Sequence, residues 1–243
     1  MSVKVAGVDG CRGGWMCVIR EVEAPFRETA FIASSIMEVF CHPDEPAIIA
    51  IDMPIGLAER INGPGRECDI AARRPLAMRA AAVFAVPARP AIFEVDYRAA
   101  CAKAKSLSDP PRAVSRQMFN LFPKIIEIDS AMTPALQKRV YECHPEVAFW
   151  AMNGHRSLSE PKKFRGRKHP PGLQQRRSLL VSHGFSVTFL SETKFPNLQA
   201  GADDLLDACA CSWTAARIYK GDAIASPKQV ARDAKGLVMQ IFA

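Results

Sequence analysis

The chain reads as an α/β protein, a mixed β-sheet flanked by helices, on three observations. Short apolar runs at residues 3–9, 15–20, 28–33 and 47–52 have strand composition. The glycine-rich turn from Gly10 to Gly14 joins the first two runs, which predicts an antiparallel hairpin. Late in the chain, the Ala-rich stretch from Asp203 to Tyr219, stopped by Lys220-Gly221, predicts a long helix.

The other elements follow in order. Residues 34–41 are short and amphipathic, and a helix there suits a return that lays strand 47–52 parallel to the first strand. That arrangement puts Asp9 and Asp52, each at the end of its run, at the same sheet end. Residues 66–82 have helical character broken at Pro75, residues 84–90 form a Pro-punctuated loop, and residues 112–138 predict one or two helices. A third apolar strand covers 139–143, and His144-Pro145-Glu146 opens a helix, with proline at its first position. Residues 160–177 collect Lys162, Lys163, Arg165, Arg167, Lys168, Arg176 and Arg177 with no acid after Glu160, and read as a basic loop. Val187 to Leu190 predicts a strand, and Leu237 to Phe242 a final one. The chain shows no repeat and no low-complexity tract, so a single domain over 1–243 is expected, with a helical insertion around 58–138.

Composition narrows the function classes. The 243 residues, 49% of them hydrophobic, suffice to bury the core of one large domain. A net charge of +7 favours polyanionic partners, nucleic acid among them. The eight cysteines include no Cys-x-x-Cys pair and lie partly in apolar segments, as reduced core residues do, so a cytoplasmic location is expected. No apolar run is long enough to cross a bilayer, and no membrane partner is expected.

The acids carry the chemistry. Charged carboxylates at the ends of buried strands need a partner, and Asp9 and Asp52 together predict a shared cation. Asp204 and Asp207 are three residues apart and so share one helix face. Oxygen ligands from two strands and a helix suit magnesium or manganese, one or two ions of which can act on a phosphodiester. Each acid also has a plain structural role to set beside this: helix capping for Asp203 and Asp204, a turn beside Gly10 for Asp9, a turn through Pro54 for Asp52. Arg12, in the glycine turn, and Lys162, Lys163 and Arg165, in the basic segment, have the charge to hold phosphates, as would any solvated basic surface. His144 suits either phosphate positioning and proton transfer or a structural place before Pro145. Phe164 is the main aromatic in the basic stretch, which argues against a stacking platform built there.

The segments Gly7-Val8-Asp9-Gly10-Cys11-Arg12-Gly13-Gly14-Trp15, Ile51-Asp52-Met53-Pro54-Ile55-Gly56-Leu57, His144-Pro145-Glu146 and Asp203-Asp204-Leu205-Leu206-Asp207-Ala208 resemble the signatures of a family of uncharacterised proteins regarded as RNase-H-like nucleases, within the RNase H/RuvC-like superfamily. The similarity extends to Arg66, Cys68, Asp69, Ala72 and Arg73, to Val83, Phe84, Pro87 and Arg89, and to Lys162-Lys163, and so covers nearly the whole chain. It implies an RNase-H-like mixed sheet. It also implies a metal-dependent nuclease or phosphodiesterase, with Asp9, Asp52, Asp204 and Asp207 matching the magnesium- or manganese-binding acids of RuvC-type resolvases. Glu146 belongs to the closer family's His-Pro-Glu motif, as a ligand, a substrate contact or a helix-start acid. Arg66, Arg73, Arg89, His144, Lys162 and Lys163 fall in motif contexts that fit substrate binding. Two alternatives remain within the same superfamily: phosphate transfer on a nucleotide or small molecule, and nucleic-acid binding without turnover.

Overall fold

A computed structural model describes residues 2–164, 167–196 and 199–243. The first half comprises β1 (Lys4–Cys11), β2 (Gly14–Glu21), β3 (Glu28–Ala33), α1 (Ile36–Phe40), β4 (Ile48–Ile51), β5 (Ile61–Asn62), α2 (Glu67–Arg73), α3 (Arg89–Ile92), α4 (Tyr97–Ser106), β6 (Ser108–Asp109) and α5 (Arg116–Ala131). After it come β7 (Val140–Cys143), α6 (Pro145–Met152), β8 (Lys163–Phe164), β9 (Arg167–Lys168), α7 (Pro170–Ser182), α8 (Val187–Glu192), α9 (Ala202–Lys220), β10 (Ala225–Arg232) and β11 (Val238–Phe242).

Seven strands form one mixed sheet in the order β10-β11-β7-β4-β1-β2-β3. β1, β2 and β3 make the antiparallel meander, whose first turn closes with Cys11 opposite Gly14. β4 runs parallel to β1, with Val8 opposite Ile51, and β7 parallel to β4, with Ile51 opposite Glu142. Parallel strands need a crossover, which α1 supplies before β4 and the helical segment from α2 to α5 supplies before β7. The sheet is therefore mixed and helix-flanked.

Alternation along the strands sorts the residues between two cores. Ala6, Val8, Ile49, Ile51 and Val140 face α1, α3, α4 and α5, whose Ile36, Ile92, Ala100, Phe122 and Ile125 fill that layer. Val5, Ala50 and Cys143 face α9, α6 and α7, represented by Cys209, Phe149 and Leu180. Asp9 follows the parity of Val5 and Gly7, and Asp52 that of Ala50, so both acids are directed to the α9 side. Gly7 decides how close α9 comes. A Cβ there would lie 2.0 Å from the backbone nitrogen of Ser212 and 2.1 Å from the carbonyl oxygen of Ala208. Only a residue without a side chain lets the helix backbone sit on β1.

Four sequence readings change. Val187 to Leu190 is helical within α8, because Ser186 caps it by accepting the Phe189 N–H at 3.2 Å and only Leu190 of the four is buried. The segment 160–177 is not a loop throughout: β8 and β9 pair as a short hairpin, and α7 starts at Pro170, whose fixed φ suits a first helical turn. Arg165 lies outside the described residues. α4 and β10 were not expected; α4 begins at Asp96, which accepts the Ala99 N–H at 2.9 Å. The helix over 66–82 ends at Arg73 and continues as 3₁₀ turns over Arg74–Ala82, interrupted at Ala77 with φ of 46°. Among the described residues, no helix is long and apolar enough to cross a membrane.

Gly7→Ala is expected to cost about 3 kcal/mol or more, since the new methyl meets backbone that cannot rotate away. A urea midpoint equal to that of the parent would show that α9 can move off β1 at no cost.

Candidate functional site

The ends of β1, β4 and β7, the first turn of α6 and the Pro161–Lys163 segment surround a cleft of about 410 Å³. Asp9 is the sixth residue of β1, Asp52 follows β4 at once, and Glu146 lies in the first turn of α6. Asp207 projects from the second turn of α9. Sheet parity and the α9 contact at Gly7 bring these acids together.

Their electrostatics show mutual proximity. Burial lifts the Asp9 carboxyl well above the usual carboxylate range, and Asp52, Asp207 and Asp204 push it further against the pull of Lys162. Asp52 rises to about 7, chiefly through burial, with Lys162 opposing and Glu146 adding. Asp207 rises to about 6 from burial, eased by Lys162 and raised again by Asp52 and Glu146. At Glu146 burial is outweighed by Arg176 and Lys162, so its carboxyl stays below its ordinary value.

The Lys162 ammonium stands among these groups. It donates to Asp207 Oδ2, and although burial disfavours its charge, Asp207, Glu146 and Asp9 together raise its pKa. Asp207 Oδ1 is buried with no hydrogen-bond partner. Gly172 fixes the approach of Lys162: a Cβ there would lie 1.8 Å from the Pro161 carbonyl oxygen, so α7 packs directly on the backbone before Lys162. From α7, Arg176 donates through Nε to Glu146 Oε1 at 3.2 Å and through Nη1 to the Gly172 carbonyl at 2.8 Å.

Most other expected site residues are engaged in protein contacts, with His144, Lys163 and Arg66 on the cleft wall. Asp204 Oδ2 accepts the Gly201 N–H at 2.7 Å, which closes the first turn of α9 as capping predicts; the residue lines an adjoining hollow with Arg12, Lys163, Lys168 and Lys124. Lys163 borders both spaces, 3.5 Å from Asp203 Oδ2. His144 caps α6: Nδ1 accepts the Glu146 N–H at 3.2 Å and Nε2 lies 3.2 Å from the Ala82 carbonyl. Burial lowers its pKa, and a neutral ring protonated at Nε2 accounts for both contacts, leaving no nitrogen for a phosphate.

The three arginines from the motif contexts are bound up in protein contacts. Arg66 is buried and donates to Asp69 Oδ1 at 2.7 Å, to Glu142 Oε1 at 2.6 Å and to the Gly56 carbonyl at 2.9 Å. Arg73 donates to the carbonyls of Val83 and Pro64 at 2.8 and 2.9 Å. Arg89 pairs with Asp129, Asp233 and Glu59, the last at 3.1 Å. Each ties the segment between β4 and β7 to itself or to the sheet through these contacts.

Among the described residues, Cys68, Asp69 and Glu142 are the one triple whose ligand-type atoms all lie within 4.8 Å, and such a buried cluster could hold a metal ion. Arg66 already fills it, donating to both carboxylates. Asp9, Asp52 and Asp207 are spread more widely around the Lys162 ammonium. Their donor set is nevertheless the hard-oxygen set that magnesium and manganese take, and the orphaned Asp207 Oδ1 is an unused ligand oxygen. To share one such ion the three carboxylates would have to close in on the place where the ammonium stands. Sequence reading missed Arg176 and the pairing of Arg66 with Glu142. The one local signal was Arg176 four residues after Gly172 on a proline-initiated helix.

Two expectations follow. Arg66→Met leaves Asp69 and Glu142 facing each other uncompensated and should destabilise by about 3–5 kcal/mol, read as a shifted urea midpoint. Asp52 and Asp207 have folded pKa values above their unfolded ones, so their contribution to stability is present below about pH 4 and is lost as pH rises through about 6 to 7. Asp52→Asn cannot ionise, and in chelator it should raise Tm by about 2–8 °C near pH 8 while changing little near pH 4. An unchanged or lower Tm at the higher pH would contradict this.

Comparison with curated proteins gives no match, and comparison with solved structures gives none either. The sequence profile of a family described as protein of unknown function (DUF429) matches residues 7–232, and the chain belongs to that family.

Proposed function

We propose that the cleft hydrolyses phosphodiesters with one or two magnesium or manganese ions, in an RNase-H-like protein. The observation that carries this is that Asp9, Asp52 and Glu146 line one cleft together with Lys162, whose ammonium links them to Asp207. Carboxylates concentrated in this way disfavour their own ionisation, and a higher positive charge would restore it. The strand order, an antiparallel meander followed by β4 parallel to β1 and β7 parallel to β4, supports the RNase-H-like reading.

Asp9, Asp52 and Asp207 would hold the ion, with Asp204 beside them at the mouth of the adjoining hollow. A divalent ion held there would polarise the phosphoryl oxygens and make bound water nucleophilic near neutral pH. The chain's own groups do the rest. Glu146, kept ionised by Arg176, accepts a proton or orients water. Lys162, once released from Asp207, carries its charge to the phosphate. Arg12 and Lys163 receive the negative charge of the substrate outside the acids. A binding protein without turnover is the second reading; the Lys162–Asp207 pair favours it by neutralising Asp207 without metal.

Calorimetric titration of manganese into the parent and into Asp9→Asn, with cleavage of a panel of labelled nucleic acids, separates the two. The hydrolase reading expects metal binding lost in the variant and turnover lower by at least about hundredfold. Nuclease activity retained in Asp9→Asn would overturn it. Salt-sensitive nucleic-acid binding with no metal-stimulated cleavage would establish the second reading.

A further inference from the structure

An apolar part of the cleft wall comes from the segment between β4 and β7, through Val83, Phe84, Val86, Met118 and Leu121. Phe84 and Leu121 are only partly buried, so a flat ring entering the cleft meets carbon there. The volume, about 410 Å³, suits one ligand of nucleotide size. The buried Arg66, Asp69 and Glu142 back the cleft, so a chain that enters from the mouth finds packed side chains there.

The mouth leads to a second space. Gly10, Leu121 and Lys163 border both the cleft and a hollow of about 580 Å³ that also carries Arg12, Lys124 and Lys168. Two carboxylates share this hollow: Asp203, 2.8 Å from Lys168 and 3.5 Å from Lys163, and Asp204, which caps α9. Lys124 donates to the Gly14 carbonyl and lies 4.3 Å over the Trp15 ring. Arg12 is exposed on the turn and makes no ion pair with a described residue. Cations therefore outnumber acids, and they lie one step outside the acid cleft.

We infer that the cleft and the hollow form one site for the end of a single-stranded nucleic acid. The terminal base lies against Phe84 and Leu121, its phosphodiester reaches the acids, and the next phosphate sits in the hollow near Arg12 and Lys168. The inference rests on the proposed phosphodiester chemistry for what happens to the substrate, and on the two adjoining spaces for which substrate enters. A cleft of one-nucleotide size admits an unpaired base at less cost than a paired one. A basic track beside an apolar stacking surface is the usual means of holding a single strand. A mononucleotide would leave the hollow unused, and a circle has no end to place in a backed cleft.

The test is fluorescence anisotropy of the whole protein, in chelator and again with calcium, against a short labelled single strand, the same sequence closed into a circle, and its blunt duplex. Hydrolysis of bis-p-nitrophenyl phosphate with manganese is measured in parallel. The linear strand should bind at least about tenfold tighter than the circle or the duplex. Arg12→Ala should make the dependence of log affinity on log salt shallower by about 0.7, the contribution of one phosphate contact on a single strand, and Arg12→Lys should restore it. Equal binding of line and circle, no binding of either, or an unchanged salt slope in Arg12→Ala would overturn the inference. Linear preference with no hydrolysis of any diester would overturn the phosphodiesterase reading and support the binding site. Diester hydrolysis without linear preference would do the reverse.

Discussion

Negative charge gathered in a buried cleft has to be compensated, and the ammonium of Lys162 does this for Asp9, Asp52, Glu146 and Asp207. Removing a single unit of charge from water costs several kcal/mol, so an uncompensated cluster of acids would oppose folding. The surroundings can be understood as the means of keeping Lys162 there. Gly172 lets α7 touch the Pro161 carbonyl, and Arg176 on the same helix holds Glu146 and the Glu160 carbonyl, so the segment before Lys162 is anchored on both sides. A chain that needed only stability would have no reason to assemble this charge, because apolar residues of similar volume would serve as well or better.

Two charged clusters that both border the cleft differ in how they are satisfied. On the α9 face, where Gly7 allows close approach, the acids gather around the Lys162 ammonium beside an open cleft. At the edge of the other face, Arg66 satisfies Asp69 and Glu142 so completely that Glu142 Oε2 also accepts the Ile55 N–H at 2.8 Å. The first cluster has an oxygen left without a partner; the second has every carboxylate oxygen of Glu142 engaged. That contrast distinguishes a place where something else can bind from a joint that fastens the segment between β4 and β7 to the sheet. Arg89, between Asp129 and Asp233, fastens the same segment farther along.

Much of this was legible in the sequence where local pattern and tertiary demand coincide. The meander, the parallel return to β4 and the long α9 follow from apolar runs and glycine turns, which place Asp9 and Asp52 at one sheet end; that they share a face follows only from the register of β1 with β4. Residues whose role depends on distant partners were not legible. Arg66 and Arg89 share the composition of a phosphate-binding arginine, and only the fold shows them opposite Glu142, Asp129 and Asp233. Val187 to Leu190 has strand composition, yet the cap at Ser186 and the single buried side chain make it helical. The apolar wall of the cleft was hidden for the same reason, since Phe84 and Leu121 lie 37 residues apart in different parts of the segment before β7.

The pairing of Lys162 with Asp207 also bears on how an ion would enter. A divalent cation and the ammonium draw on the same carboxylates, so the two compete, and the net gain from the ion is its attraction to the acids less the Lys162 contacts given up. Asp52 and Asp207, whose carboxyls rise to about 7 and about 6, would have to release protons as well. Both costs fall once a phosphate is present, because Lys162 then exchanges one anionic partner for another and the added negative charge favours the ion. Ion and phosphate would therefore bind each other's complexes more tightly than the free protein, and by linkage each would raise the affinity for the other by the same factor. On the proposed reading, the cleft would be quiet when empty and charged for chemistry only when both are present.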